Sequence, residues 1–188
     1  MQWFVATARI DMRILFVCTG NVCRSPIAEK MLERYNTELG LGLHVSSAGT
    51  RALNGQPMHP ESERVLQDLG IETGGFESRM LTPDIAAACD LLLGMTREHR
   101  AVARQLAPAR WKRMLALREL PVERMRDAQS IRPAIDPIDP KLDIRDPIGK
   151  PAYVFDEVAE NIAASVDSLV KWLEKQEAHP TGKHHSTR

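Results

Sequence analysis

Residues 13–26 read Arg-Ile-Leu-Phe-Val-Cys-Thr-Gly-Asn-Val-Cys-Arg-Ser-Pro. The continuous apolar run from Ile14 into Cys18 predicts a buried strand. Cys18 and Arg24 then bracket a tight loop that opens into a helical pattern at Ser25-Pro26. Loop amides and a helix N-terminus together collect a dianion. The same positive field favours thiolate over thiol at a cysteine placed there. Nucleophile and anion cradle thus share one short segment, an arrangement suited to attack on phosphorus.

Outward from this segment, strand and helix patterns alternate. Ile27, Met31, Leu32, Tyr35 and Leu39 recur at helical spacing, so a helix is predicted over Pro26–Leu39, with Pro26 allowed in its first turn and Gly40 and Gly42 stopping it. Leu43–Val45 reads as a short strand and Ser46–Thr50 as a turn. Residues 60–69 form a helix ending at Gly70, and Thr82-Pro83 caps another that runs to Cys89. Asp90–Met95 is a second apolar strand, Thr96–Leu106 a helix, and Trp111–Leu117 a fourth strand. Residues 121–150 are rich in Pro and Asp and read as loop. Pro151–Glu177 is the longest helical pattern, its stripe formed by Val154, Phe155, Val158, Ile162, Val166, Leu169, Val170 and Leu173. The expected fold class is α/β: a doubly wound, about four-stranded parallel sheet with helices on both faces and the anion loop after the first strand. In such sheets ligands bind beyond the strand C-termini, where Cys18–Arg24 falls.

The 188 residues suit a single domain over 12–177, with residues 1–11 as an N-terminal extension, Met12 as a candidate natural start, and 178–188 as a disordered tail. Lys+Arg and Asp+Glu both number 25, so the basic excess of a nucleic-acid binder is missing. No apolar run approaches the length of a membrane span, and the N-terminus lacks the apolar core of a signal peptide. The three cysteines, Cys18, Cys23 and Cys89, do not make a disulfide scaffold, and a reducing cytoplasm is the expected location. Cys89, before the run Leu91–Leu93, reads as a buried core thiol. Cys18 and Cys23 lack the spacing and histidine neighbours of a zinc site, and His184 and His185 read as part of a solvated tail.

Within the loop, Thr19, Gly20, Asn21, Val22 and Cys23 supply the substrate-binding backbone. Gly20 is expected to let the chain turn its N–H groups inward, and Asn21 to bond across the loop. Arg24 offers a planar fork that matches two phosphoryl oxygens, and Ser25 a hydroxyl to the sulfur. Displacing an ester oxygen also needs a proton for the leaving group, which a Cys–Arg loop does not carry. Asp146-Pro147 is the candidate acid, favoured over Asp136-Pro137 and Asp139-Pro140 by its place just before the last helix.

Together with Ser47–Thr50, Gly55–Pro57, Ser78-Arg79, Asp90–Met95 and Asp146-Pro147, the Val17–Pro26 motif resembles the low-molecular-weight protein tyrosine phosphatase family over about residues 12–177. The resemblance implies a phosphocysteine intermediate on Cys18, phosphate binding by Arg24, support of the thiolate by Ser25, and Asp146 as acid and then base. It implies no metal and no cofactor. It also implies a protective disulfide between Cys23 and Cys18. Aromatic residues often wall the pocket in relatives acting on phosphotyrosine, whereas here Leu53 and Ile148-Gly149 stand at those positions. Some bacterial relatives acting on phosphoarginine have a similar non-aromatic segment after the acid but carry Thr at the position of Val22, so Val22 favours an aryl phosphate. The long Pro/Asp segment before Asp146 is a further departure. The expected substrate is a phosphotyrosine-containing protein or aryl phosphate, with no nucleic-acid or membrane partner. Phosphoarginine hydrolysis and arsenate reduction on the same fold are the alternatives. A non-catalytic phosphate-binding module is disfavoured because nucleophile, arginine, serine and acid are all present.

Overall fold

The computed structural model describes residues 11–120 and 138–177. The extension before Asp11, the Asp136-Pro137 pair and the tail from 178 lie outside the described residues. Four strands, β1 (Arg13–Cys18), β2 (His44–Gly49), β3 (Leu91–Gly94) and β4 (Met114–Ala116), form a wholly parallel sheet in the order β2-β1-β3-β4. The helices are α1 (Arg24–Leu39), α2 (Pro60–Asp68), α3 (Pro83–Ala88), α4 (Arg97–Leu106) and α5 (Ala152–Glu177). Among the described residues no helix is long and apolar enough to cross a membrane.

The alternation of β1 divides the core. Ile14, Phe16 and Cys18 face a cluster with Ile27 and Leu32 of α1 and Ile162, Val166 and Leu169 of α5. Leu15 and Val17 face the opposite way, with Leu92, Met114, Ala86 of α3 and Ala103 of α4. Helices on both faces explain why β1 and β3 are apolar throughout rather than alternating. The chain order reverses across the β1–β3 pair, which makes their C-terminal ends the topological switch point.

Three boundaries differ from expectation by two residues or more. Helix α1 starts two residues early, at Arg24, because Pro26 falls in the first turn, where no N–H is needed. Strand β2 continues through Gly49, since all six of its residues find register partners on β1. The fourth strand shrinks to Met114–Ala116. Pro108–Arg113 forms a 3₁₀ turn instead, leaving Trp111 about half exposed beneath the guanidinium of Arg104.

Candidate active site

The loop between β1 and α1 is held from outside by its carbonyls. Thr50 N–H donates to Cys18 O and Arg51 N–H to Thr19 O, both at 2.9 Å. His59 N–H donates to Val22 O at 2.8 Å, and Ile27 N–H to Cys23 O at 3.2 Å. The carbonyls of Cys18, Thr19, Val22 and Cys23 thus accept from elements around the loop, and Asn21 N–H turns toward the Cys18 sulfur, the orientation an anion nest requires. Asn21, not Gly20, supplies the unusual backbone angle: its φ is 54°. Asn is among the few residues that tolerate this region. A Cβ at Gly20 meets nothing nearer than Val22 Cγ2 at 3.5 Å, so the expected role of Gly20 in the turn is not what the geometry shows. The glycine the loop does require is Gly49. A Cβ there falls 2.5 Å from Thr19 O and 2.8 Å from Asn21 N.

Cys18 is buried at the loop's base, where Ser25 Oγ donates to its sulfur at 3.0 Å and Asn21 N–H at 3.2 Å. The Asn21 amide orients Ser25. Its Nδ2 donates to Ser25 Oγ at 3.0 Å and to Ser47 Oγ at 2.7 Å, and its Oδ1 accepts from Arg79 N–H at 2.8 Å. Ser47 in turn donates to Glu29, whose carboxyl is raised by burial against the opposing pull of that hydroxyl. A polar chain thus runs from Glu29 to Cys18, and each donor in it fixes the next.

Arg24 and Asp146 meet although 122 positions separate them: Arg24 Nη2 pairs with Asp146 Oδ2, and Nη1 donates to Ile144 O at 3.1 Å. Arg24 is 4% exposed, and its Nε has no hydrogen-bond partner among the described residues. A buried guanidinium with a spare donor suits an incoming oxyanion. The carboxylates of the Asp-rich segment are sorted by what they touch. Asp139 caps a 3₁₀ turn through Lys141 N–H at 2.8 Å. Asp143 receives the N–H, Nε and Nη2 of Arg97. Burial pushes the Asp143 carboxyl up, but these bonds outweigh it and the net shift is downward. Ile144 N–H donates to Met95 O at 2.8 Å, which ties the segment to the end of β3. Asp146 is left half exposed, with Oδ1 accepting from Ile148 N–H at 3.1 Å.

His99 belongs to this site, although its significance is not apparent in the sequence pattern. Buried at the start of α4, it bonds Thr19 Oγ1 through Nε2 and Thr96 Oγ1 through Nδ1, each at 2.9 Å. Burial first, then the charge of Arg24, pushes it down to about 4, so it is neutral near pH 7. The stacking of His59 on Phe155, at 4.8 Å, similarly anchors the Val22 end of the loop. Cys23 and Cys89 are buried free thiols, pushed up to about 12 and about 11 mainly by burial. Leu53 and Ile148 are exposed on loops tied to the cradle. Leu53 follows the gripping amides of Thr50 and Arg51, and Ile148 follows Asp146-Pro147.

The profile of the low molecular weight phosphotyrosine protein phosphatase family matches residues 13–179. A probable low molecular weight protein-tyrosine-phosphatase, EpsP of Ralstonia nicotianae, is 30% identical over 157 residues, 84% of this chain and 92% of that one. Low molecular weight protein-tyrosine phosphatase A of Mycobacterium tuberculosis is 31% identical over 168 residues, covering 88% of this chain and 93% of its own. Among solved structures, the YwlE arginine phosphatase of Geobacillus stearothermophilus superposes with a TM-score of 0.74 at 29% identity, over 92% of this chain and 99% of that chain. With its parallel sheet, its cysteine-bearing loop after β1 and a family match across nearly the whole fold, the chain belongs to the low molecular weight phosphotyrosine protein phosphatase family.

Proposed function

We propose that this protein hydrolyses phosphotyrosine in proteins through a phosphocysteine intermediate. The observation that carries the reading is the convergence of four groups. Cys18 lies under the hydroxyl of Ser25, and Arg24 joins Asp146 from the far end of the chain. The Cys18 thiolate attacks phosphorus while Arg24 and the loop amides take the equatorial oxygens, where charge gathers in the transition state. The phosphate displaces the Asp146 carboxylate from Arg24. Released from Arg24, Asp146 takes up a proton from solvent and then delivers it to the departing phenolic oxygen as the phosphorus–oxygen bond breaks. Afterwards the same carboxylate takes a proton from the water that cleaves the sulfur–phosphorus bond, returning phosphate and free Cys18. No step calls on a metal or cofactor.

The substrate class rests on the loop and its rim. Val22 presents only methyl groups, with nothing polar to hold a guanidinium nitrogen, while Leu53 and Ile148 offer aliphatic surface to a phenyl ring. A reducing cytoplasm fits three cysteines that are free thiols. In this reading Cys23 guards Cys18 by forming a disulfide once the nucleophile is oxidised. As a neutral buried thiol, Cys23 does not compete for the phosphoryl group.

A substrate panel on the purified protein tests the reading. Turnover of phosphotyrosine peptides well above phosphoarginine peptides is expected, with no thiol-dependent release of arsenite from arsenate. Faster turnover of phosphoarginine would overturn the substrate assignment while leaving the Cys18 chemistry intact.

A further inference from the structure

Charge around the mouth of the site is uneven, although the whole chain is formally neutral. Arg51, Arg145 and Lys150 are exposed on the loops that border the cradle. Arg51 follows β2, and its backbone N–H holds Thr19 O at 2.9 Å. Arg145 sits between Ile144 and Asp146, both bonded to Arg24. Lys150 closes the turn after Asp146-Pro147, its N–H donating to Pro147 O at 3.0 Å. Among the described residues none of these three side chains forms an ion pair, unlike Arg64 and Arg97, which are engaged by carboxylates elsewhere.

The nearby carboxylates do not offset them. The loop from Thr50 to Met58 carries none. Asp143 is engaged by Arg97, and Asp146 by Arg24. Glu77 is an exposed acidic group on the loop before Ser78. Among the described residues, three exposed cations without an ion-pair partner thus stand within two or three positions of Leu53 and Ile148, the apolar residues on the loops that border the cradle.

We infer that the enzyme selects phosphotyrosines flanked by acidic residues, which Arg51, Arg145 and Lys150 read. The inference rests on the phosphotyrosine reading above. An extended peptide advances about 3.3 Å per residue. Long, flexible Arg and Lys side chains can therefore reach carboxylates within two or three positions of the phosphotyrosine on either side. Exposed pairs are individually weak, about 0.2–1 kcal/mol or roughly 1.4- to 5-fold each. Together they give about tenfold discrimination, appearing chiefly in KM because the contacts lie away from the reacting atoms.

The test uses the full chain and three phosphotyrosine peptides of one sequence whose flanking positions carry Glu, Gln or Lys. The expected order of kcat/KM is Glu, then Gln, then Lys. The Glu-to-Gln ratio is about tenfold at low ionic strength and contracts toward one near 1 M salt, where the Debye length is about 3 Å. In a double variant carrying Arg51→Gln and Lys150→Gln, the ratio drops to about twofold. Equal kcat/KM for the three peptides overturns the inference, as does a ratio unchanged in the double variant. If that variant does not fold, the salt dependence of the unaltered protein decides alone. Failure of the underlying reading is separately visible, as no turnover of p-nitrophenyl phosphate or of any of the three peptides.

Discussion

Gly49→Ala places one methyl group against the loop that follows Cys18. The added Cβ would lie 2.5 Å from Thr19 O and 2.8 Å from both Asn21 N and the Ala52 side chain, whereas ordinary contact begins at 3.4 Å. Backbone, not a flexible side-chain end, is what it meets, so about 0.9 Å must come from moving the loop or β2. Overpacking of this kind costs about 1–3 kcal/mol, or about 2–4 °C in Tm per kcal/mol for a chain of this size. The catalytic cost is larger. Thr19 and Asn21 flank the anion site, and a misplacement of about 1 Å lowers turnover by roughly 10²-fold. The assay is kcat/KM on an aryl phosphate, inhibition by inorganic phosphate, and thermal melting. Gly40→Ala serves as the control. It caps α1 with φ of 67° and meets nothing within 4 Å, so it loses stability through backbone strain without touching the loop. Reduced turnover and weakened phosphate inhibition in Gly49→Ala alone are expected. Activity and phosphate inhibition within twofold of the parent protein would refute the packing argument.

Asp146→Ala is expected to lower kcat on an aryl phosphate by about 10²–10⁴-fold while phosphate binds at least as tightly as before. The variant removes the acid and also the carboxylate that pairs with Arg24. Steady-state kinetics with phosphate as inhibitor checks both parts. His99 has a pH signature. Its folded value, about 4, lies below its ordinary value of 6.5, so the unfolded chain binds the extra proton first. Stability is therefore full above about pH 6.5 and declines as the pH falls toward 4, by up to about 3 kcal/mol. Urea melts at pH 7 and pH 4.5 should show a smaller loss in His99→Gln than in the parent protein; an equal loss would contradict the buried neutral imidazole.

The sheet was legible because β1 and β3 are apolar without interruption, a pattern that requires cover on both faces. Helix α5 was legible from its long stripe. Strand β2 was underread because Ser46, Ser47 and Gly49 look like turn residues. Gly49 is small because the Thr19–Asn21 backbone approaches it closely, and Ser47 carries the hydroxyl that Asn21 bonds, neither of which any periodicity reveals. Cys18, Arg24 and Ser25 stood out because their chemistry lies within eight residues. Asp146 could be favoured over the other Asp-Pro pairs only by its place just before the last helix and by the resemblance. The feature that distinguishes it, Asp143 anchoring the segment to Arg97, is a contact across 46 positions. His99 and Glu29 act through partners distant in sequence, and such relations appear only once the chain is folded.

The most direct measurement is acid-quenched, rapid-mix turnover of an aryl phosphate followed by mass analysis of the enzyme's peptides. Thiolate attack predicts a phosphoryl group on the peptide bearing Cys18, accumulating further in Asp146→Ala when a substrate with a good leaving group is used. In Cys18→Ser the label and steady turnover should both vanish. A phosphoryl group on any other residue, or full turnover by Cys18→Ser, would contradict the mechanism.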